Sequence, residues 1–214
     1  GLALTLFLVS SIAVRPFSGM IIEKLGKKWA MRGAGVIFAL FAFSYLLIDS
    51  MSSLLIVRFL HGIWFSILTT VTVPVANDFI PDQRKGEGMG YFVMSTNLGV
   101  VFGPLIALTT IQFTSFQMLF GILAVLISLG LIFSLILNIR ELPQAKLKTA
   151  EKSRLSLQDI IETKVLAVSF VALLTAFAYS SITSFITVFA ETKQLLAYVS
   201  LFFIVFALSM LLVR

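Results

Sequence analysis

Residues 116–138, FQMLFGILAVLISLGLIFSLILN, decide the fold of this chain. The stretch contains no charged residue, and a helix formed by it would present apolar side chains on every side. A bilayer core about 30 Å thick is crossed by roughly 20 such residues in helical conformation. We therefore predict a membrane-spanning helix at this position.

Six further apolar runs accompany this one, separated by short polar connections. The 214 residues are 59% hydrophobic and 12% charged, with a mean hydropathy of +1.05, whereas a soluble domain carries roughly 25% charged residues. Membrane β-barrels alternate apolar and polar residues in segments of about ten, and these runs do not. We predict an all-α, polytopic membrane protein with helices at 2–22, 29–48, 54–77, 87–109, 116–138, 165–189 and 196–213.

Basic residues are concentrated at alternate connections. Twelve Lys and Arg lie at those after the first, third and fifth runs, and the other connections hold only Lys193. Basic loops stay on the cytoplasmic side of a membrane, so we place residue 1 outside and predict an integral, multi-pass protein of the plasma membrane. The net charge of +6 then reflects topology, and we expect no nucleic-acid partner.

The hydrophilic segment 139–164 divides the chain into two helix bundles. Ser156 and Asp159 have the spacing of a capping box, so we predict a cytoplasmic linker with a short amphipathic helix, with a disordered linker as the alternative. Residues 1–138 are predicted to form an amino-terminal bundle that lacks its first helix. Residues 165–214 would be the first two helices of a truncated second bundle, and we expect the chain to be a fragment.

The first cytoplasmic connection, residues 19–28, has the sequence GMIIEKLGKK. Gly19 is expected to let a neighbouring helix approach, and Gly26 to allow a tight turn into the next span. The alternative is an ordinary basic hairpin that follows the charge rule and has no further role.

Charged residues at this cytoplasmic rim can form ion pairs. Glu23 can pair with a cation on a neighbouring helix end. Asp78, at the inner end of the third run, either pairs with Lys27 or Lys28 or remains a solvated charge.

The third run carries ionisable side chains within its apolar sequence: Arg58 and His61, with Gly62 beside them. A charge inside the bilayer costs at least about 2.5 kcal/mol, so Arg58 either faces the bundle interior or snorkels to the outer interface. His61 is either a structural histidine bound to a backbone carbonyl or a proton carrier. Helical spacing places a candidate cavity wall on one face: Arg58, His61, Phe65, Thr69 and Thr72.

Residues 99–107, GVVFGPLIA, place small residues four apart in the next run. Gly99 and Gly103 predict a close-packing face, and Pro104 predicts a bend near the outer end. Other polar positions either line a cavity or bridge helices: Ser11, Ser95, Asn97, Thr175 and Tyr179.

Enzyme chemistry is not indicated by the sequence. It contains no cluster of metal ligands, no nucleophile paired with a base and no phosphate-binding loop, so we predict a non-enzymatic protein without metal or cofactor. The absence of cysteine excludes disulfides.

Three of these segments together resemble the major facilitator superfamily. Residues 19–28 resemble its motif A, with Glu23 where Asp is usual. Residues 58–62, RFLHG, resemble motif B, R-x-x-Q-G, with His61 in place of Gln. Residues 99–107 resemble motif C, G-x-x-x-G-P-x-x-G, with Ala107 at the last glycine.

The resemblance implies helices two to eight of a twelve-helix transporter that works by alternating access. Motif C is associated with the drug:proton antiporter-like branch, which implies proton-coupled efflux of small organic molecules by a monomer in the lipid bilayer. Motif A and Asp78 would latch the cytoplasmic side, Arg58 would serve proton coupling or the cavity, and motif C would form the bundle interface. Apart from Arg58 and His61, no ionisable residue lies deep in a predicted span.

Other functions are compatible with parts of this pattern. An uptake symporter or narrow-specificity carrier of the same fold could take sugars, organic anions or metabolites, with Arg58 binding an anion. A seven-helix receptor matches the number of runs, and a channel would need a filter segment that the sequence does not show.

Overall fold

The computed structural model describes residues 1–139, 141, 165–195 and 198–213. Every regular element in these ranges is a helix, which confirms the predicted all-α class. The α-helices are α1 (Leu2–Leu25), α2 (Lys27–Ser44), α3 (Met51–Phe79), α4 (Lys85–Phe113), α5 (Phe116–Ile136), α6 (Leu166–Thr192) and α7 (Val199–Val213). Short 3-10 turns at Tyr45–Leu47 and Asp82–Arg84 follow α2 and precede α4.

The predicted linker helix, with Ser156 and Asp159, lies outside the described residues and stays a prediction. Six helices in the described part of the chain, α1 to α6, are long and apolar enough to cross a membrane. The seventh predicted run is helical too, but its described part has 15 residues. At about 1.5 Å per residue it is shorter than a bilayer core.

Several helices extend beyond the predicted apolar runs. α3 occupies Met51–Phe79 rather than 54–77, because Ser50 caps its first turn by accepting a hydrogen bond from the Ser53 amide. Polar residues continue a helix after the bilayer ends, since the backbone hydrogen bonds do not depend on hydropathy. The predicted boundaries therefore marked the apolar core of each helix rather than its ends.

The helices form two compact units. The first contains Gly1–Ser95 and Ile106–Gln144, and in it α3 packs along α1 and α2 while α2 also packs against α5. The second contains Thr96–Leu105 and Ala145–Arg214, and in it α6 contacts α7, with Tyr179 stacked on Phe206 at 5.8 Å between ring centroids.

Small residues allow α2 to pack closely in the first unit. Ala30, Ala34, Gly35, Ala39 and Ala42 are all buried along one side of this helix. Large apolar side chains elsewhere are extensively exposed, for example Trp29 at 65% and Phe133 at 68%. Such an inverted distribution suits a lipid environment, in which exposed apolar groups cost nothing.

A small apolar core lies at the end of the first unit that contains the connection 19–28. It is built by side chains from α1, α2, α3 and the segment after α5: Ile22, Ala30, Val71, Val75 and Ile139. This core fixes the ends of three helices at the level where the connection 19–28 turns.

Candidate functional site

An ion pair joins the start of α2 to the end of α3, on the side predicted to be cytoplasmic. Lys27 Nζ is 2.6 Å from Asp78 Oδ2, and the two side chains are 27% and 29% exposed. Of the two alternatives for Asp78, the structure shows the pair with Lys27. A cleft of about 350 Å³ adjoins it, lined by Asp78, Phe79, Asn138 and Ile139.

The electrostatics of this pair are unusual for helix ends. Lys27 begins α2, where the helix dipole disfavours a cation, and Asp78 lies in the last turn of α3, where it disfavours an anion. The dipole of its own helix therefore disfavours each charge, and the opposite charge of the partner side chain compensates for this. Separation of the helix ends would leave both charges unfavourably placed.

Gly26 makes the predicted tight turn between α1 and α2, with φ at 82°, a conformation that side chains other than glycine rarely adopt. A side chain at this position would also lack space, because a Cβ built on Gly26 would contact the carboxylate of Glu141.

The predictions for Gly19 and Glu23 are not met within the described residues. No atom lies within 4 Å of a Cβ built on Gly19, so this glycine does not mark a close helix approach there. Glu23 is exposed and Lys28 is half-buried, and neither forms an ion pair in the part of the chain that the structure describes. The local sequence of residues 19–28 suggested partners for Gly19 and Glu23, but such partners depend on how the helices pack.

Arg58 faces the interior of the first unit and does not snorkel to the interface. Its guanidinium carbon lies 4.8 Å from the centroid of the Tyr45 ring and 6.0 Å from that of Phe7. It lines a cleft of about 210 Å³ between α1, α2, α3 and α5, which we call the aromatic cleft: Phe7, Phe38, Ala42, Tyr45, Arg58, His61, Phe65, Phe120, Leu123 and Ile127. No carboxylate within the described residues pairs with Arg58.

His61 is buried in the same cleft, with 4% of its surface exposed. Its Nδ1 is 2.9 Å from the Tyr45 hydroxyl, a side-chain partner that the sequence analysis did not name. The Phe38 carbonyl is also close, but Nε2 has no hydrogen bond of ordinary geometry among the described residues. The Phe38 ring lies 4.1 Å from the imidazole.

Gly62 provides the close helix contact of this region. A Cβ built on it would overlap Ser10 Oγ and the Phe7 carbonyl oxygen, so α1 crosses α3 with almost no space between the backbones. Further along the same contact, the fully buried Ser18 and Ser66 share a hydrogen bond of 3.2 Å. Small residues and interhelical hydrogen bonds are the usual basis of such contacts in membranes.

The predicted cavity wall on α3 is divided between different environments. Phe65 lines the aromatic cleft. Thr72 lines a neighbouring cleft of about 240 Å³. Thr69 accepts a hydrogen bond of 3.2 Å from Arg15 Nη2 and lines neither. One helical face is thus not one cavity.

Residues 99–107 lie within α4, which continues through Pro104. Nothing in the described ranges lies within 4 Å of a Cβ built on Gly99 or Gly103, so the predicted close-packing face is unoccupied there. Asn97 is half-buried, and Tyr179 packs on Phe206.

Several important side chains were missed by the sequence analysis. Tyr45 contacts both Arg58 and His61, yet it lies in an ordinary apolar run with no local signal. Arg32 was counted only as a cytoplasmic charge, whereas its Nη2 donates to the carbonyl oxygens of Leu135 and Leu137 at 2.8 and 3.3 Å. Both contacts join residues distant in sequence.

Six helices that are long and apolar enough to cross a bilayer define a polytopic membrane protein. A sequence profile of the Major Facilitator Superfamily matches residues 1–214. The chain belongs to this family of membrane transporters, as its three motifs predicted.

Two kinds of curated relatives are similar to the chain. One is "Quinolone resistance protein NorA" of Staphylococcus aureus, 26% identical over 104 residues, which are 49% of this chain and 27% of the relative. Another is "Multidrug resistance protein MdtM" of Salmonella typhimurium, 24% identical over 124 residues, which are 58% of this chain and 30% of the relative. The matched region thus spans less than a third of either relative.

Proposed function

We propose that the protein carrying this chain is a secondary active transporter of the plasma membrane that exports small organic molecules by alternating access. Family membership supports transport. The direction is supported by the relatives, both named as resistance proteins, because a transporter that confers resistance must lower the internal concentration of the drug.

The observation that carries the alternating-access part is the ion pair between Lys27 and Asp78. Because each charge is opposed by the dipole of its own helix, the pair is stable only while the two helix ends stay together. We propose that it holds the connection 19–28 in position on the cytoplasmic face, with Glu23, Gly26 and Lys28 presented to the second bundle in the outward-open state.

Proton coupling is part of the same proposal. His61 is the only histidine of the chain, and it lies buried beside Arg58 in the aromatic cleft. An imidazole beside a fixed positive charge can take up or release a proton when a substrate enters or leaves. Gly62 supports this site by allowing α1 to approach, and Gly99, Gly103 and Pro104 would serve the bundle interface.

The test measures movement of fluorescent dyes of different charge into sealed, everted vesicles containing the full-length protein. We expect accumulation when a pH gradient is imposed and its loss when the gradient is collapsed. Lys27→Asp and Asp78→Lys should each reduce transport several-fold, and the double variant should recover part of it because the pair is restored in reverse.

The matched control is Lys24→Asp, which changes the same charge on the same connection at an exposed residue without an ion pair in the described ranges. It should transport like the unmodified protein. No gradient-driven movement of any dye, in sealed vesicles with folded protein, would contradict the exporter proposal. Equal loss in the single and double variants would contradict the proposed role of the pair.

A further inference from the structure

Tyr45 is the side chain through which α2, α3 and α5 meet at the aromatic cleft. It lies in the short turn that follows α2 and is 8% exposed. Its ring stacks on Phe120 of α5, with 5.2 Å between the ring centroids and 23° between the ring planes. Two further contacts reach α3, one to His61 and one to Arg58. A buried ring that is packed on several sides has little freedom to turn, so its hydroxyl is held in a fixed position.

The hydroxyl of Tyr45 and the imidazole of His61 form a hydrogen bond whose direction follows from a third group. The hydroxyl oxygen lies 2.9 Å from Nδ1, and the imidazole also has a hydrogen-bond contact with the backbone carbonyl of Phe38. A carbonyl only accepts, so the neutral ring directs its single N–H to Phe38 and uses Nδ1 to accept from the Tyr45 hydroxyl. The hydrogen bond at one ring nitrogen thereby determines which nitrogen carries the proton.

The face of the Tyr45 ring contacts Arg58. The guanidinium carbon lies 4.8 Å from the ring centroid, within the range in which an aromatic face attracts a cation. Among the described residues that line the cleft, Arg58 and Tyr45 are the charged or titratable groups beside His61. Helices α1 and α5 contribute apolar side chains there: Phe7, Phe120, Leu123 and Ile127. Tyr45 thus contacts both ionisable groups that α3 places in the cleft.

We propose that Tyr45 is a positioning residue, which holds the imidazole of His61 through its hydroxyl and the guanidinium of Arg58 through its ring. In the neutral state the hydroxyl donates to Nδ1, and the imidazole carries its proton on Nε2. When Nδ1 takes up a proton from water that enters the cleft, the hydroxyl rotates about its C–O bond, keeps its own proton and accepts from the new N–H. Both protonation states of His61 then have the same partner in the same place. The link from this arrangement to proton coupling rests on the proposed function, whereas the hydrogen bond itself does not.

The first test observes the two ring nitrogens of His61 by nitrogen NMR. The full-length protein is prepared with isotope-labelled histidine in lipid bilayers, and the His61 signals are identified by their loss in His61→Gln. At a pH where the ring is neutral, we expect Nε2 to be protonated and Nδ1 to be an unprotonated acceptor. Tyr45→Phe should move the Nδ1 signal to the position of a nitrogen without a hydrogen bond. A proton on Nδ1 of the neutral ring, or an Nδ1 signal that Tyr45→Phe does not move, overturns the proposal.

The second test compares variants in the everted vesicles. Tyr45→Phe keeps the ring and removes only the hydroxyl, so we expect gradient-driven dye accumulation to fall about two- to ten-fold, the range that corresponds to one hydrogen bond. Tyr45→Leu should lower it further, because Arg58 then also loses its aromatic contact. Tyr91→Phe is the matched control, since Tyr91 is 61% exposed on α4 and does not line the cleft. It should accumulate dye like the unmodified protein.

Thermal unfolding identifies any variant that has not folded, and the proton position on the neutral ring of the unmodified protein needs no Tyr45 variant. Accumulation that Tyr45→Phe leaves unchanged, or that Tyr91→Phe lowers equally, overturns the proposed role of Tyr45. An Nδ1 signal that depends on Tyr45, in a protein that exports no dye, removes the proposed function and keeps the hydrogen bond. Dye export with an Nδ1 signal that Tyr45→Phe does not move removes only this inference.

Discussion

At the scale of single residues, hydroxyl groups inside the bundle are satisfied by their own helices. Ser18 donates to the Val14 carbonyl, Thr69 to that of Phe65 and Thr70 to that of Ser66. These bonds to the preceding turn remove the cost of burying a hydroxyl in lipid. A serine or threonine in a span therefore does not by itself indicate a cavity, and Thr69 lines neither described cleft on α3.

Gly62 is the residue at which a single methyl group should matter most. Gly62→Ala would place a carbon against Ser10 Oγ and the Phe7 carbonyl, so we expect a loss of about 1–3 kcal/mol from overpacking. The measurement is the thermal unfolding temperature of the purified protein in detergent.

Gly33→Ala on α2 is the control, since a Cβ there meets nothing within 4 Å. It should be neutral or stabilising by up to about 1 kcal/mol, because alanine favours helix more than glycine does. If both variants unfold at the same temperature as the unmodified protein, α1 does not cross α3 as closely as described.

At the scale of elements, α2 is the helix that joins the others of the first unit. It packs against α3 through its small buried residues. It also packs against α5, where a Cβ built on Gly35 would contact the Leu131 side chain. Its first turns are fixed twice, by Lys27 to α3 and by Arg32 to the carbonyl end of α5. A cation at a helix carboxyl end satisfies free carbonyls and interacts favourably with the dipole.

Arg32→Gln should therefore weaken the contact between α2 and α5. We expect a loss of roughly 1–2 kcal/mol, because two hydrogen bonds from a charged donor are removed and part of the loss is recovered by water at this partly exposed site. Unfolding followed by circular dichroism in a mild detergent would report it.

Lys24→Gln removes one positive charge from the same face without a described hydrogen bond or ion pair, and we expect it to unfold like the unmodified protein. A similar loss in both variants would mean that net charge on this face, rather than the Arg32 contact, determines stability.

At the scale of the whole molecule, the distribution of basic residues predicts the direction in which the helices cross the membrane. The chain contains no cysteine, so a single introduced cysteine can be labelled without background. Asp49→Cys and Lys193→Cys should react with a membrane-impermeant maleimide in intact cells. Lys24→Cys and Asp82→Cys should react only after permeabilisation, because their connections are cytoplasmic by the positive-inside rule.

The cysteine-free protein is the negative control for this experiment. Labelling of Lys24→Cys in intact cells, with Asp49→Cys protected, would reverse the topology and place the Lys27–Asp78 pair outside. The proposed cytoplasmic role of that pair would then be wrong.

The amino-acid sequence by itself determined the fold class, the positions of the helices and the family. These depend on local properties: apolar length for a span, charge for its orientation, and short motifs whose residues are adjacent on one connection or helix. Gly26 could be assigned to a turn for the same reason, since only its own backbone conformation is involved.

Only the tertiary structure decided which side chains meet. Arg58 faces Tyr45 from another helix, Lys27 was selected over Lys28 as the partner of Asp78, and Gly62 rather than Gly19 marks the closest helix approach. The physical reason is that the relative height and rotation of packed helices determine these contacts. That geometry results from the packing of the whole bundle, and no single run of sequence contains it.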